Sequence, residues 1–253
     1  MKKLAPRDIA ASVAMLLAVM ALWWLASHQQ WVSKVFLPTP EAAAGALVEG
    51  LAEGDLAGFT LATTLRMLLG WLLASLFGVA LGALIGASAA ARAWLQPTLE
   101  FVRPLPASAL LPLAIAVFGL SSGMVLFVVA LGAMWPVLLA TIHGFASVHA
   151  RLQEVAQALQ LSRLAFVFKV GLPNALPDIL AGMRLSMTVS LIVAVVGEMI
   201  ASQSGLGQSI LLAARSYRAS DLFAGVILLG AIGFASNALL ALAEHRLLQW
   251  QRP

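Results

Sequence analysis

The stretch EVAQALQLSRLAFVFKVGLPNALPDILAGMRLS, residues 154–186, decides the fold of this protein. It holds three cationic side chains, three side-chain amides and two prolines, whereas the chain on both sides of it is mainly apolar. Of the 253 residues, 61% are hydrophobic and 10% are charged. A soluble domain contains about 25% charged and about 45–50% apolar residues. The composition therefore predicts an all-α polytopic membrane protein, in which residues 154–186 lie between two spans.

The residue types that are present exclude several functions. The chain has no cysteine, which excludes disulfides, thiolate catalysis and cysteine-based metal sites. Its four histidines form no H-E-x-x-H pattern, and the phosphate-binding G-x-x-x-x-G-K-[ST] pattern is absent from the sequence. The net charge of +4 fits the basic excess of cytoplasmic membrane-protein loops better than a nucleic-acid surface. We therefore predict no catalytic residue, no metal site, no cofactor bound by this chain and no nucleic-acid partner.

Six apolar segments are candidates for membrane spans within a single transmembrane domain, residues 1–253. A spanning helix needs about 20 mainly apolar residues. The first segment is longer than the apolar core of a signal peptide, about 7–15 residues, so we expect a retained span. The third contains Pro112, which frees a backbone carbonyl and predicts an interior, broken or cavity-lining helix. The predicted spans are 9–27, 60–88, 104–120, 124–146, 177–200 and 221–243.

The distribution of cationic residues predicts the orientation, because lysine and arginine are enriched in cytoplasmic loops. With the N-terminus inside, only Lys34, Arg66, Arg215 and Arg218 lie on the outer side. The inner side then holds Lys2, Lys3, Arg7, Arg92, Arg103, Arg151, Arg163, Lys169, Arg184, Arg246 and Arg252. Both termini are therefore predicted to be cytoplasmic, together with the segment 150–173.

Two local patterns predict helix ends and helix packing. In LPTPEAAAGALVEGLAEGD, Thr39 can cap a helix that has Pro40 at its first position, which favours a short helix at the membrane surface. In the second span small residues recur every four positions and share one helix face, which lets another helix approach closely. These small residues are Gly70, Ala74, Gly78, Gly82 and Gly86.

The polar segment itself predicts two short helices. Apolar residues of 154–170 fall on opposite faces of one continuous helix, whereas a surface helix has one apolar stripe. We therefore expect a helix from Glu154 to Leu159, a turn near Gln160 and a second helix after the N-cap Ser162. Pro173 and Pro177 are expected to end the segment and to begin the fifth span. On the residues alone, the segment either enters a groove in a partner or packs on its own protein.

The same residues resemble a known family. The pattern is carried by Glu154, Ala156, Leu159, Phe168, Val170, Leu172, Pro173, Pro177, Ile179, Gly182 and Arg184. It is similar to the EAA loop of the transmembrane permeases of ABC importers. The segments LPTPEAAAGAL, TTLRMLLGW, RPLPASALLPLAIAVFG and VVGEMIASQSGLGQSI resemble permeases of the nitrate, sulfonate and taurine group, so that the likeness covers residues 36 to about 215.

The resemblance implies a type I ABC importer permease in the bacterial cytoplasmic membrane. Its coupling helices would dock on a cytoplasmic ATPase subunit, which binds ATP and magnesium, through Glu154, Ala156, Ala158, Leu159, Gln160, Leu161, Ser162 and Leu164. Within this segment Glu154 and Ser162 are expected to hydrogen-bond or to cap a helix. Residues predicted to line or gate the path are Arg66, Arg184, Ser186, Ser190 and Glu198. A second permease copy would complete a homodimer, and a periplasmic or lipid-anchored binding protein would deliver substrate onto residues 36–58 and 201–220.

Two departures from the family pattern leave alternatives open. Gln160 stands where the family has glycine, and LSSGM follows Gly119 in place of a glycine-rich, lysine-bearing turn. The predicted substrate is a sulfonate, taurine or nitrate, with a thiamine or riboflavin precursor as the alternative. A channel or scaffold without an ATPase remains the alternative from another class. Arg66 and Glu198 form a charge pair, line the path or reach the interface, and Arg184 is either a path residue or an interface anchor.

Overall fold

The computed structural model describes residues 6–102 and 104–249. Within these ranges the chain is helical and contains no β-strand, which confirms the predicted all-α class. The helices are α1 (Pro6–His28), α2 (Pro40–Ala52), α3 (Leu56–Gly86), α4 (Ala89–Val102), α5 (Leu111–Phe118), α6 (Ser122–Ala146), α7 (Ala150–Ala158), α8 (Arg163–Phe166), α9 (Leu172–Ala201), α10 (Leu206–Arg215) and α11 (Ala219–Leu247). A 3₁₀ turn, Ala107–Leu110, precedes α5, and a π turn, Val167–Gly171, joins α8 to α9.

Five helical segments of the described chain are long and apolar enough to cross a membrane. They are Ala10–His28, Leu56–Gly86, Ser122–Ala146, Arg163–Ala201 and Ala219–Leu247. Contacts divide the chain into two compact units. One combines the chain up to Phe59 with Ser209–Leu229, and the other combines Thr60–Gln208 with the chain from Gly230 onward. The assignment of the whole chain to one transmembrane domain stays a prediction.

The predicted third span, 104–120, is shorter in the structure. The 3₁₀ turn and α5 together cover only Ala107–Phe118. At about 1.5–2 Å per residue this segment rises roughly 20 Å, against a hydrocarbon core of about 30 Å. Pro106 is extended, with ψ of 132°, and Gly119 ends α5 with a φ of 65°. The proline before the segment and the glycine after it therefore confine the helix to a part of the predicted span.

The small-residue face of α3 packs against α6. A Cβ on Gly78 would lie 2.9 Å from Val137 Cβ, and a Cβ on Gly82 would lie 2.5 Å from Thr141 Cβ. Gly70 and Gly86 meet Val129 and Phe145 in the same way. All four pairs have the same sequence offset, so the two helices run parallel in a fixed register. The predicted close-packing face of α3 is confirmed.

Helix α9 runs antiparallel to α6 and packs along its length. Gly182 lies against Pro136 and Ala140, and Gly197 lies against Val125. Helix α3 also reaches α9, because the Trp71 indole N–H donates to the Met183 carbonyl at 2.9 Å. Helices α3, α6 and α9 thus form the packed centre of this unit.

In the other unit, α1 and the start of α2 are held together by tryptophans. Trp23 Nε1 donates to the Pro38 carbonyl at 3.0 Å, and Trp24 Nε1 donates to Glu41 Oε1 at 3.0 Å. Thr39 caps α2 by accepting from the Ala42 N–H at 3.3 Å, as predicted. The hydrogen bond from its own backbone N–H, in the first turn of α2, holds the pKa of the Glu41 carboxyl below its usual range.

The orientation of the chain stays a prediction. Four of the cations that support it, Lys2, Lys3, Arg103 and Arg252, lie outside the described residues. Among the described residues, the predicted inner side keeps seven cations and the predicted outer side keeps four.

Candidate functional site

The polar segment forms two short helices joined by a tight turn, as predicted, although the first helix begins at Ala150, four residues before the predicted Glu154. Helix α7 ends in a Schellman motif, in which Leu161 N–H donates to the Ala156 carbonyl at 3.0 Å and Gln160 N–H donates to the Gln157 carbonyl at 2.9 Å. Gln160 takes the left-handed position, with a φ of 51°. Ser162 then caps α8, because its hydroxyl accepts from the Ala165 N–H at 3.2 Å. The turn keeps the left-handed geometry that a glycine would favour.

The prediction that two prolines end the polar segment is wrong, whereas the expected start of a helix at Pro173 is confirmed. Pro173 lies in the first turn of α9, where a missing N–H breaks no helical hydrogen bond, and Pro177 lies inside α9. The π turn connects α8 directly to α9, so that Arg163–Ala201 is one helical run. The second short helix of the polar segment is therefore the beginning of the same rod that forms the fifth predicted span.

Several side chains of the segment are available to a partner. The exposed fraction is 67% for Leu159 and 71% for Leu164. Phe168, also of this segment, is 65% exposed. Large exposed apolar side chains on a polar connection between two apolar helices often mark an interaction surface. We refer to Leu159, Leu164 and Phe168 as the docking patch.

Other predicted coupling residues have different positions. Ala158, Gln160 and Ser162 are exposed and Leu161 is half-buried. Ala156 is only 5% exposed, so it packs inside the chain and is not available to a partner. The Glu154 carboxylate is exposed and makes no hydrogen bond or ion pair with any described residue, so its predicted bond within the segment is wrong.

A phenylalanine connects the π turn to the packed centre. Phe145 of α6 is 3% exposed, and its ring lies where a Cβ on Gly171 would stand. On the other side, a Cβ on Gly86 would lie 2.6 Å from Phe145 Cβ. The side chain thus fits between two glycines of different helices, and little free space surrounds the point where α8 joins α9.

At the opposite end of α9, the buried carboxylate of Glu198 holds three donors. Arg66 Nη1 approaches Glu198 Oε1 at 2.7 Å. The Thr63 hydroxyl and the Gly207 N–H donate to Glu198 Oε2, each at 2.9 Å. The Thr63 oxygen also accepts from the Leu206 N–H at 2.9 Å. The first two N–H groups of α10 are therefore capped by side chains of α9 and α3, where a carboxylate is favoured.

The surroundings of this cluster leave no room for larger residues. A Cβ on Gly205 would overlap the Glu198 carboxylate, and a Cβ on Gly207 would overlap the Val195 carbonyl. Arg66 Nη1 also donates to the Ser204 carbonyl at 2.8 Å. Of the alternatives for Arg66 and Glu198, the charge pair is confirmed. Thr63 and the two glycines were missed as functional candidates, although T-x-x-R and G-x-G are visible in the sequence.

The remaining predicted path residues take part in helix packing. Ser186 is buried and donates to the Ala133 carbonyl at 2.6 Å, and the buried Ser190 donates to the Met187 carbonyl at 2.8 Å. Arg184 forms an ion pair with Glu244 of α11. A path or gating role for these residues stays a prediction, and the two serines have their hydroxyl hydrogens already engaged in this structure.

A half-open cavity of about 540 Å³ lies between the 3₁₀ turn, α5, α6 and α9, and two of its lining residues, Leu185 and Ile192, are more than half exposed. It is bordered by a face of α9 that includes Leu185, Val189 and Ile192, next to the predicted Ser186 and Ser190. Sequence reasoning missed these residues, because an apolar side chain that faces a cavity has the same residue type as one that faces lipid. The prolines of the third and fourth predicted spans were the available signal, and Pro136 does line the cavity.

Two features of the described residues would indicate other chemistry, a metal site and the serine motif of hydrolases. No group of three His, Asp or Glu side chains in this part of the chain could hold a metal ion. Residues 119–123, GLSSG, match the G-x-S-x-G pattern of α/β-hydrolases. However, Ser121 follows a helix instead of a strand, and its hydroxyl caps α6 by accepting from the Met124 N–H at 3.2 Å.

Comparison with known proteins places the chain in a family. Residues 74–249 match the family described as "Binding-protein-dependent transport system inner membrane component". The aliphatic sulfonates permease SsuC of Bacillus subtilis is 34% identical over 92% of this chain and 84% of its own length. The taurine permease TauC of Escherichia coli is 30% identical over 96% of this chain and 90% of its own length. The nitrate permease NrtB of Leptolyngbya laminosa is 33% identical over 60% of this chain and 54% of its own length. The chain therefore belongs to the inner-membrane permease components of binding-protein-dependent transport systems.

Proposed function

We propose that this chain is the transmembrane subunit of an ATP-driven importer of small anions, with an organosulfonate as the substrate. Relatives that cover more than nine tenths of this chain include permeases for aliphatic sulfonates and for taurine. A separate cytoplasmic ATPase hydrolyses ATP, a second copy of the chain encloses the path, and a binding protein supplies the substrate. Nitrate is the alternative anion, supported by a relative that covers a smaller share of the chain.

The docking patch is the observation that carries this proposal. Leu159 is 67% exposed and Leu164 is 71% exposed, on a turn that is fixed by a Schellman motif and a serine cap. The unpaired Glu154 carboxylate lies on the same segment. Apolar anchors together with an unpaired charge suit a cleft of complementary shape in a soluble subunit.

The continuous helical run from α8 to α9 explains how the ATPase would be coupled to the membrane spans. Because α8, the π turn and α9 form one run, a force on the docking patch reaches the packed centre without crossing a flexible loop. The π turn is the natural point of bending, since such turns often mark functional positions in helices. Nucleotide binding by the ATPase then tilts α9 against α6. As a result the transport path opens alternately to the two sides of the membrane.

The test is purification of the tagged protein from its own membranes, followed by uptake measurements in proteoliposomes. We expect a stoichiometric ATPase and ATP-dependent uptake of a labelled sulfonate, with competition by taurine. Leu159→Arg and Leu164→Arg should each remove the ATPase and at least 90% of uptake. Gln157→Arg is the matched control, because it adds the same charge to exposed α7 without removing an apolar anchor.

Other results would assign a different function. Full uptake and ATPase recovery in both leucine variants would rule out the docking role of the patch. A wild-type protein that purifies without any ATPase would favour a channel or scaffold. ATP-dependent uptake of a thiamine or riboflavin precursor, with none for sulfonates, would retain the importer and replace its substrate.

A further inference from the structure

At the end of α9 opposite to the docking patch, the chain turns tightly into α10. We refer to residues 202–205 as the corner. Glu198 closes the corner from both sides, because its backbone carbonyl accepts from the Gln203 N–H at 3.1 Å and its carboxylate accepts from the Gly207 N–H at 2.9 Å. One residue thus ends α9 and caps α10, which fixes the start of α10 to the end of α9.

The hydroxyl group of Thr63 in α3 bonds both sides of the corner. It donates to Glu198 Oε2 at 2.9 Å, and the same oxygen accepts from the Leu206 N–H at 2.9 Å. All three residues are fully buried, so loss of the hydroxyl would leave buried polar groups without a partner. The neighbouring Thr64 differs, since its hydroxyl donates to the Thr60 carbonyl within α3 at 2.7 Å.

Two other bonds that reach the corner lie nearer to solvent. The Arg66 guanidinium donates to the Ser204 carbonyl at 2.8 Å, and the Ser122 hydroxyl donates to Gln203 Oε1 at 2.8 Å. Both bonds are exposed, so water competes for their donors and acceptors. Of these three attachments, the buried hydroxyl of Thr63 is the one that solvent weakens least.

We propose that Thr63 is a positioning residue, which holds the corner on α3 while α9 moves and thereby couples ATP hydrolysis to import. The inference rests on the proposed import function and adds a residue to its coupling mechanism. The helical run Arg163–Ala201 carries Leu164 and Phe168 of the docking patch at one end and meets the corner at the other. A rod that is driven at one end tilts effectively only if its other end is held. With a loose corner, part of the movement is lost there and ATP is hydrolysed without import.

The first experiment compares ATP hydrolysis with import of radiolabelled taurine by the complete transporter in proteoliposomes. Thr63→Val keeps the shape of the side chain and removes the hydroxyl. It should lower import by about fivefold or more, since misplacement at a distance is costly, and should leave ATP hydrolysis within about twofold of the wild type. More ATP is then used for each imported molecule. Thr63→Ser should restore the wild-type ratio. Thr64→Val is the matched control, because it removes a hydroxyl that bonds within α3, and its ratio should not change.

A second measurement depends on neither substrate nor ATPase. Hydrogen exchange of the Leu206 amide, followed by mass spectrometry of peptides that cover residues 202–209, reports whether the corner is held. Thr63→Val should exchange about tenfold faster than the wild type, because the amide loses its buried acceptor. Thr63→Ser and Thr64→Val should exchange at the wild-type rate. Thr63→Cys, with a weakly bonding thiol in place of the hydroxyl, repeats both measurements if the valine variant does not assemble.

Three results would overturn the proposal. A parallel fall of hydrolysis and import in Thr63→Val, at an unchanged ratio, would show that the residue only stabilises the fold. Faster exchange together with a normal ratio would separate the corner from coupling. A Thr63→Ser variant that behaves like Thr63→Val would show that the shape of the side chain is required and not its hydroxyl.

Failure of the proposed function gives a different result. A wild-type transporter that imports neither taurine nor another sulfonate would refute the proposed substrate. The exchange rates then still test the corner, and equal rates in Thr63→Val and the wild type would overturn the role of Thr63.

Discussion

Gln160 occupies a left-handed turn position that normally favours glycine. Its φ of 51° places the Cβ close to the following carbonyl, at a cost of about 1 kcal/mol. We predict that Gln160→Gly keeps full uptake and raises the free energy of unfolding by about 0.5–1 kcal/mol. Thermal unfolding in detergent and uptake in proteoliposomes measure the two effects.

The control for this prediction is Gln157→Gly, three residues earlier and inside α7. There a glycine should destabilise the helix by roughly 0.5–1 kcal/mol relative to the glutamine that it replaces. If Gln160→Gly lowers stability as much as Gln157→Gly does, the turn in the membrane-bound protein differs from the Schellman motif described above.

The Arg66–Glu198 ion pair provides a second prediction at the scale of single residues. Glu198 is fully buried and Arg66 is largely buried, so removal of one partner leaves the other charge unpaired. Glu198→Gln and Arg66→Gln should each lower the free energy of unfolding by about 3–5 kcal/mol. The double variant should lose clearly less than the sum of both losses, because no unpaired charge then remains.

Unfolding temperatures of the four proteins in this cycle provide the measurement. Strictly additive losses would show that the two side chains do not interact. A loss of uptake that exceeds the loss of folded protein would support the predicted gating role of this pair.

At the scale of helices, the glycines of α3 provide a direct test of close packing. Gly82→Ala places a Cβ 2.5 Å from Thr141 Cβ and 2.9 Å from the Leu138 carbonyl. We predict a destabilisation of about 1–3 kcal/mol, because the helices must move apart. The same substitution at Gly45 of α2, where no atom lies within 4 Å, should stabilise the protein by about 1 kcal/mol.

Apparent unfolding temperatures of the two alanine variants, measured in the same detergent, compare these effects. A fall for Gly45→Ala together with no change for Gly82→Ala would contradict the packing of α3 against α6.

Helix boundaries show what the sequence could and could not predict. The all-helical class, the cap at Thr39 and the turn at Gln160 follow from local rules, and the structure confirms them. The third predicted span was too long, since apolar composition continues through residues that Pro106 keeps extended. The continuity of α8 with α9 was missed because a proline in the first turn of a helix is indistinguishable, in sequence, from one that breaks it.

The candidate site was predictable to a different degree in each part. Exposure of Leu159 and Leu164 follows from apolar residues on several faces of a short segment. The cavity was not predictable, because it is formed by distant segments whose facing residues are determined only by packing. Burial of Ser186 and Ser190 against backbone carbonyls is a tertiary effect of the same kind.

For the whole molecule, the charge asymmetry predicts cytoplasmic termini and a cytoplasmic docking patch. Since the chain lacks cysteine, Lys34→Cys and His149→Cys introduce single reporters on opposite predicted sides. A membrane-impermeant maleimide added to intact cells should label the Lys34→Cys variant. It should label the His149→Cys variant only after permeabilisation. The reverse pattern would invert the orientation and exclude the docking patch from contact with a cytoplasmic ATPase.

The constant offset between the glycines of α3 and their partners on α6 limits how the protein can evolve and move. A slide of one helix along the other would have to cover four residues, about 6 Å, before side chains again met glycines. Smaller slides would drive Val137 and Thr141 into the backbone of α3. The two helices should therefore tilt as one rigid body during transport. Any functional chain with a larger residue at position 82 should carry a smaller one at position 141.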